Sequence, residues 1–129
     1  ENRDAIYPKL IDAYQRQGDL PNLIETYQKW IAEIPRQAER PYMELANSYH
    51  QHKQHTEAIQ YYDLALKFET DRKEIDWALL RMADSYQATG EQQQGEELLR
   101  RVSREAKDPI IRQIALEKRR GIKGEQPAE

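Results

Sequence analysis

Three tyrosines, Tyr14, Tyr49 and Tyr86, stand 35 and 37 residues apart, and one pattern surrounds all of them. Seven residues earlier come Tyr7, Tyr42 and Leu79; four earlier, Leu10, Leu45 and Met82; three earlier, Ile11, Ala46 and Ala83. Nine later come Leu23, Ala58 and Gly95; thirteen later, Tyr27, Tyr62 and Leu99; sixteen later, Trp30, Ala65 and Val102. Large residues match large ones, and small mostly match small. A period of this length is the mark of stacked supersecondary units, and it constrains the fold more tightly than composition does. The alternative is an ordinary three- or four-helix bundle with tyrosines recurring by chance. Six offsets kept in register across three units weigh against it.

Inside each unit the apolar residues recur at helical spacings of three and four. Each unit also breaks in the middle. Gly18 and Gly90 supply the left-handed position that ends one helix, and Asp19 is suited to cap the next, with Pro21 tolerated in its first turn. The second unit has Lys53 where the others have glycine. Pro35 and Pro41 mark the first boundary between units, Thr70-Asp71 the second, and Pro109 follows the third. The pattern predicts helices over 5–17, 20–34, 39–52, 55–69, 73–89, 92–107 and 109–120. Short loops make neighbours antiparallel, so each unit is a helical hairpin. A hairpin cannot bury its apolar face alone, and stacking three of them makes a continuous core. The expected architecture is an all-α solenoid in one domain over 1–124. Its repeats lie at about 4–38, 39–75 and 76–109, with a cap at 109–120 and a polar, flexible tail over 121–129.

Leu45, Ala46, Tyr49, Ala58, Tyr62 and Ala65 closely resemble the tetratricopeptide repeat, a helix-turn-helix unit of about 34 residues. Leu10, Tyr14, Gly18, Tyr27 and Pro35 fit the same pattern in the first unit, and Ala83, Tyr86 and Gly90 in the third. Ile11, Trp30 and Gly95 depart from it. The resemblance implies a C-terminal capping helix and a concave groove, lined by the first helices, that binds a peptide or a partner helix. Carried over by repeat position, the groove candidates are Lys9, Asp12 and Arg16, then Arg40, Met43, Asn47 and His50, then Trp77, Arg81 and Asp84. Gln15, Glu44, Gln51, Leu80 and Gln87 join them more loosely. Some family members grip a C-terminal carboxylate with Lys, Asn and Arg. Only Asn47 and Arg81 suit that here, while Pro8, Asp12 and Glu44 stand against it. Trp77 is either a groove anchor, since tryptophan is enriched at binding hot spots, or a packing partner of Phe68. Trp30 sits at a core position.

Composition then excludes most other chemistry. No cysteine means no disulfide, thiolate metal site or cysteine nucleophile. His50, His52 and His55 cross a predicted turn at spacings that do not converge on a metal, and a solvated polar turn is the expectation. No nucleophile motif, phosphate loop or dinucleotide fingerprint is present, so neither enzyme activity nor a cofactor is expected. The longest apolar run is Trp77–Leu80, far too short to span a bilayer.

The formal charge of −3 hides a polarity. Residues 1–99 carry 11 basic and 18 acidic side chains, whereas residues 100–123 carry 9 basic and 3 acidic ones. The basic segment (Arg100, Arg101, Arg104, Arg112, Lys118, Arg119, Arg120 and Lys123) suits a solvated cap opposite an apolar face of Ile110, Ile111, Ile114, Ala115 and Leu116. Nucleic acid is an unfavoured partner, because no aromatics interleave with these cations to stack bases. The sequence therefore reads as a noncatalytic scaffold or adaptor for a protein or peptide. Two rivals remain: self-assembly through an open apolar edge (Ile6, Tyr7 and Leu10), and attachment of the basic cap to an anionic surface. Degenerate repeats rich in glutamine resemble bacterial assembly factors of the cytoplasm or cell envelope, with no choice between those compartments.

Overall fold

The computed structural model describes residues 3–37 and 39–124. Seven α-helices follow one another: α1 (Arg3–Gln17), α2 (Leu20–Glu33), α3 (Glu39–Gln51), α4 (His55–Leu66), α5 (Arg72–Ala88), α6 (Gln92–Glu105) and α7 (Pro109–Gly124). A 3₁₀ turn, Pro35–Gln37, joins the first hairpin to the second. Consecutive helices pack on one another throughout, and α3 also touches α5, as α5 touches α7. Hairpins stack so that α3 meets α5 and α5 meets α7, which takes the place of a further first helix.

The tyrosine register has a backbone cause. The residue after each turn donates to the tyrosine carbonyl: Asp19 N to Tyr14 O (3.0 Å), Gln54 N to Tyr49 O (2.9 Å) and Glu91 N to Tyr86 O (2.8 Å). The residue before it donates three positions back, Gly18 to Gln15, Lys53 to His50 and Gly90 to Gln87. These paired bonds are the Schellman motif, which needs a left-handed residue at the turn. Gly18 has φ 68°, Gly90 85° and Lys53 62°, so the lysine adopts the conformation its two counterparts reach without a Cβ. At the helix starts, Asp19 accepts from Asn22 N (3.2 Å), Asp71 from Lys73 N (2.9 Å) and Asp108 from Ile110 N (2.8 Å). Each such cap stabilises its helix by about 1 kcal/mol.

The core follows the repeat offsets, with one substitution of means per unit. In the second, Ala58, Tyr62 and Ala65 are fully buried. In the first, Trp30 replaces the last alanine and its bulk is met by Tyr7, stacked at 5.8 Å and 6°. In the third, Gly95 lies so close to α5 that a Cβ would meet Gln87 Nε2 at 2.5 Å and the Ala83 carbonyl at 3.2 Å. A buried carboxylate, Asp76, is 2% exposed and lies 3.2 Å from Arg72 Nε through both its oxygens. Arg72 also donates to the Glu105 carbonyl (2.7 Å), tying the start of α5 to the end of α6.

Several expectations shift at the edges. Helix α4 ends at Leu66, before the expected 69, where Phe68 and Glu69 both turn back to the Ala65 carbonyl. Helix α7 runs on to Gly124, because Gly121 does not take the left-handed conformation that would stop it. Residues 121–124 are therefore helical, and the remainder of the expected tail, 125–129, lies outside the described residues. Ile111 and Ala115 seal the end of the stack at 0% exposure, but Ile110 is 68% exposed. Adjacent residues differ by 100° around a helix, so Ile110 and Ile111 cannot share a face.

Candidate functional site

The first helices and α7 form one face, and its side chains are linked across repeats. Between α1 and α3 lies a cleft of about 420 Å³, lined by Asp12, Gln15, Arg40, Glu44, Asn47 and Gln51 above Ile11 and Tyr27. Asp12 pairs with Arg16 at 3.1 Å on the exposed side of α1, while Arg16 and Lys9 do not line the cleft. Glu44 holds Arg40 Nε at 2.9 Å and accepts from the Tyr27 hydroxyl at 3.1 Å. The Arg40 guanidinium also lies 5.3 Å over the Trp30 ring. Burial first, and then the Glu44 charge, push the Tyr27 hydroxyl well above the ordinary phenol pKa. Met43, expected in the groove, is instead a core residue at 5% exposure, one helical step from Glu44. Leu80 is likewise buried, at 2%.

Further along the face, Asn47 Oδ1 accepts from the buried Tyr62 hydroxyl and from Arg81 Nη1, the latter at 3.4 Å. Burial pushes the Tyr62 hydroxyl up as well, against the opposing pull of Arg81. The Arg81 guanidinium lies 5.6 Å over the half-buried Trp77 ring. Phe68, the alternative partner offered for Trp77, stacks on Tyr42 at 5.9 Å. Among the described residues, no carboxylate lies within ion-pair distance of Arg81. Asp84 accepts from Lys118 Nζ at 3.1 and 3.4 Å and faces His50 Nε2 at 3.9 Å.

Sequence reasoning missed Lys118, which was assigned to a solvated cap. A signal existed: Asn47 to Arg81 and Asp84 to Lys118 are each 34 residues apart, and the second pair is the first moved on by the 37-residue period. The histidines are also more than a solvated turn. His55 Nδ1 lies 2.9 Å from the buried Ser85 hydroxyl, His52 Nδ1 2.8 Å from the Ser48 carbonyl, and His50 and His55 meet edge to face at 5.7 Å. Among the described residues, no three His, Cys, Asp or Glu side chains are grouped to hold a metal ion.

Residues 77–108 match the tetratricopeptide repeat family. The N-terminal domain of stress-induced protein-1 (STI-1) from C. elegans is similar in structure, with a TM-score of 0.76 at 22% identity, over 88% of this chain and 91% of that one. No curated protein matches the sequence. The chain carries a tetratricopeptide-repeat fold.

The basic segment turns part of its charge inward, through Lys118, Arg119 and Arg112, and keeps Arg100 and Arg101 in same-helix pairs on the outer surface. Lys118 pairs with Asp84, Arg119 with Glu96 (3.7 Å), Arg100 with Glu97 (3.7 Å) and Arg101 with Glu105 (3.6 Å). Arg112 donates to the Ala106 and Lys107 carbonyls at the end of α6. Pairing of this kind at helix ends completes orphan carbonyls and offsets the macrodipole. No helix among the described residues is long and apolar enough to cross a membrane.

Proposed function

We propose that the chain is a noncatalytic interaction module whose concave face binds an extended segment of a partner protein. One observation supports this reading most directly: Arg81 is held over Trp77 and against Asn47 with no carboxylate of the described residues on it. The other cations with a partner along the face, Arg16 and Arg40 from the sequence reading and Lys118 from the structure, each meet a carboxylate. A preorganised guanidinium and amide beside an aromatic ring provide donors, an acceptor and contact area at little cost in side-chain ordering. Solenoids of stacked repeats use such extended concave surfaces for binding. Function carried by fold alone is weak, and the side chains on the face add the specific content.

The test is a peptide selected from a displayed random library on the intact chain, with affinity read by fluorescence anisotropy. Arg81→Ala and Trp77→Ala are expected to weaken binding by about tenfold or more, the range of an interface hot spot. Arg101→Ala, on the outer surface, is the control. Equal affinity in all the variants would remove the concave face from the account. Asn47 is a poorer probe, since its truncation also strips the acceptor from the buried Tyr62 hydroxyl.

Self-assembly is a second reading, favoured by the exposure of Ile6 (50%) and Leu10 (39%) along α1. Tyr7, the third residue of that expected edge, is instead packed on Trp30 and donates to Glu33. A light-scattering mass that stays at one chain across a hundredfold concentration range would exclude this reading.

A further inference from the structure

His50 sits where four helices meet. It belongs to α3, and it faces Asp84 of α5 at 3.9 Å, the His55 ring of α4 at 5.7 Å and the Tyr62 ring of α4 at 6.5 Å. Arg81 of α5 and Lys118 of α7 complete its charged surroundings. Asp84 is the sole anion in this set, and Lys118 already holds both its oxygens. A proton on His50 would therefore add a cation beside Arg81, Lys118 and the facing imidazole, against one carboxylate already engaged.

We propose that His50 is a proton-sensitive joint that couples the second repeat to the third repeat and the cap, loosening their contact as the solution is acidified. The neutral imidazole fills the junction between α3, α5 and α7; the imidazolium repels its neighbours. Burial lowers the His50 pKa from its ordinary 6.5; Asp84 pulls it up, while His55, Arg81 and Lys118 push it further down. The sign follows. The folded chain binds this proton less tightly than the unfolded chain, so stability is complete above about pH 6.5 and declines as pH falls toward the folded value. The joint operates whether or not the face holds a peptide, but His50 and Arg81 act on one another electrostatically, so acidification would also disturb the face that carries Arg81.

Imidazole NMR titration of the intact chain between pH 5 and 8 tests this directly. His50 is expected to titrate below 6.5, Asp84→Asn to move it lower, and Lys118→Met to move it higher by removing a repelling cation and freeing Asp84. Thermal unfolding gives a second readout. The wild-type midpoint is expected to fall from pH 7.5 to 5.5, with a flatter dependence in His50→Gln. A His50 titration at or above 6.5, shifts of the same sign in the two charge variants, or an unchanged slope in His50→Gln would each overturn the proposal. The wild-type titration decides the matter even if His50→Gln does not fold.

Discussion

Replacing Lys53 by glycine should stabilise the chain, because Lys53 alone of the three turn residues carries a Cβ into left-handed space. Its φ of 62° matches Gly18 at 68° and lies near Gly90 at 85°, and the same two backbone bonds close all three turns. The left-handed conformation costs a side-chain-bearing residue about 1–2 kcal/mol. Glycine returns about 0.5–1 kcal/mol of that through its larger loss of backbone freedom on folding. The net gain is about 0–1.5 kcal/mol with a central value of about 0.75, or about 2–4 °C in Tm for a chain of this size. Urea unfolding followed by circular dichroism at 222 nm should show a higher midpoint with an unchanged m-value, the signature of native-state relief. Lys53→Ala is the control, since it removes the charge but keeps the Cβ. A midpoint raised equally in both variants would assign the gain to charge. No gain in the glycine variant would show that the turn does not strain the lysine.

Arg72→Met leaves the buried Asp76 carboxylate without its guanidinium and should cost about 2–3 kcal/mol. The double variant Arg72→Met, Asp76→Leu should recover most of that loss in the same denaturation assay. Gly95→Ala should be nearly neutral: the end of Gln87 can swing away, and a helix gain of about 1 kcal/mol offsets the squeeze on the Ala83 carbonyl. Gly95→Leu, which cannot be accommodated so, should lose about 2 kcal/mol or more. Absorbance at 295 nm in an alkaline titration should show Tyr27 and Tyr62 ionising last. Both hydroxyls have pKa values raised by burial. The stability they contribute is therefore whole below about pH 10, the unfolded value, and is lost as pH rises beyond it, so Tm should fall in that range.

Much of the fold was legible because the repeat is written in backbone requirements. Tyr14, Tyr49 and Tyr86 keep one distance from the turns because the carbonyl at that position closes the helix, and Gly18 and Gly90 recur because the closure needs positive φ. Asp19 could be read as a cap because its chemistry is local. The phase of each helix was harder to read. Met43 and Glu44 differ by one residue, yet one is in the core and the other in the cleft, and a hydrophobic residue between polar ones does not declare which. Ile110 was placed with Ile111 for the same reason. The Tyr7–Trp30 stack accommodates the departure at Trp30, a pairing between helices that spacing within a helix does not reveal. Lys118 was assigned by the charge of its neighbours in sequence, whereas it stands one 37-residue period after Arg81 and is held by Asp84. Arg81 and Asn47 were read as groove residues from repeat position alone. The structure shows their mutual contact, and with it that Asn47 serves the buried Tyr62 hydroxyl.

The claim that the concave face is the binding surface is tested most directly by backbone amide NMR of the intact chain, titrated with a library-selected peptide. The account predicts that the perturbed amides cluster on α1, α3 and α5, around Asp12, Asn47, Trp77 and Arg81, with few changes on α2, α4 and α6. Perturbations centred on the second helices, with the amides around Asn47 and Arg81 unmoved, would contradict it.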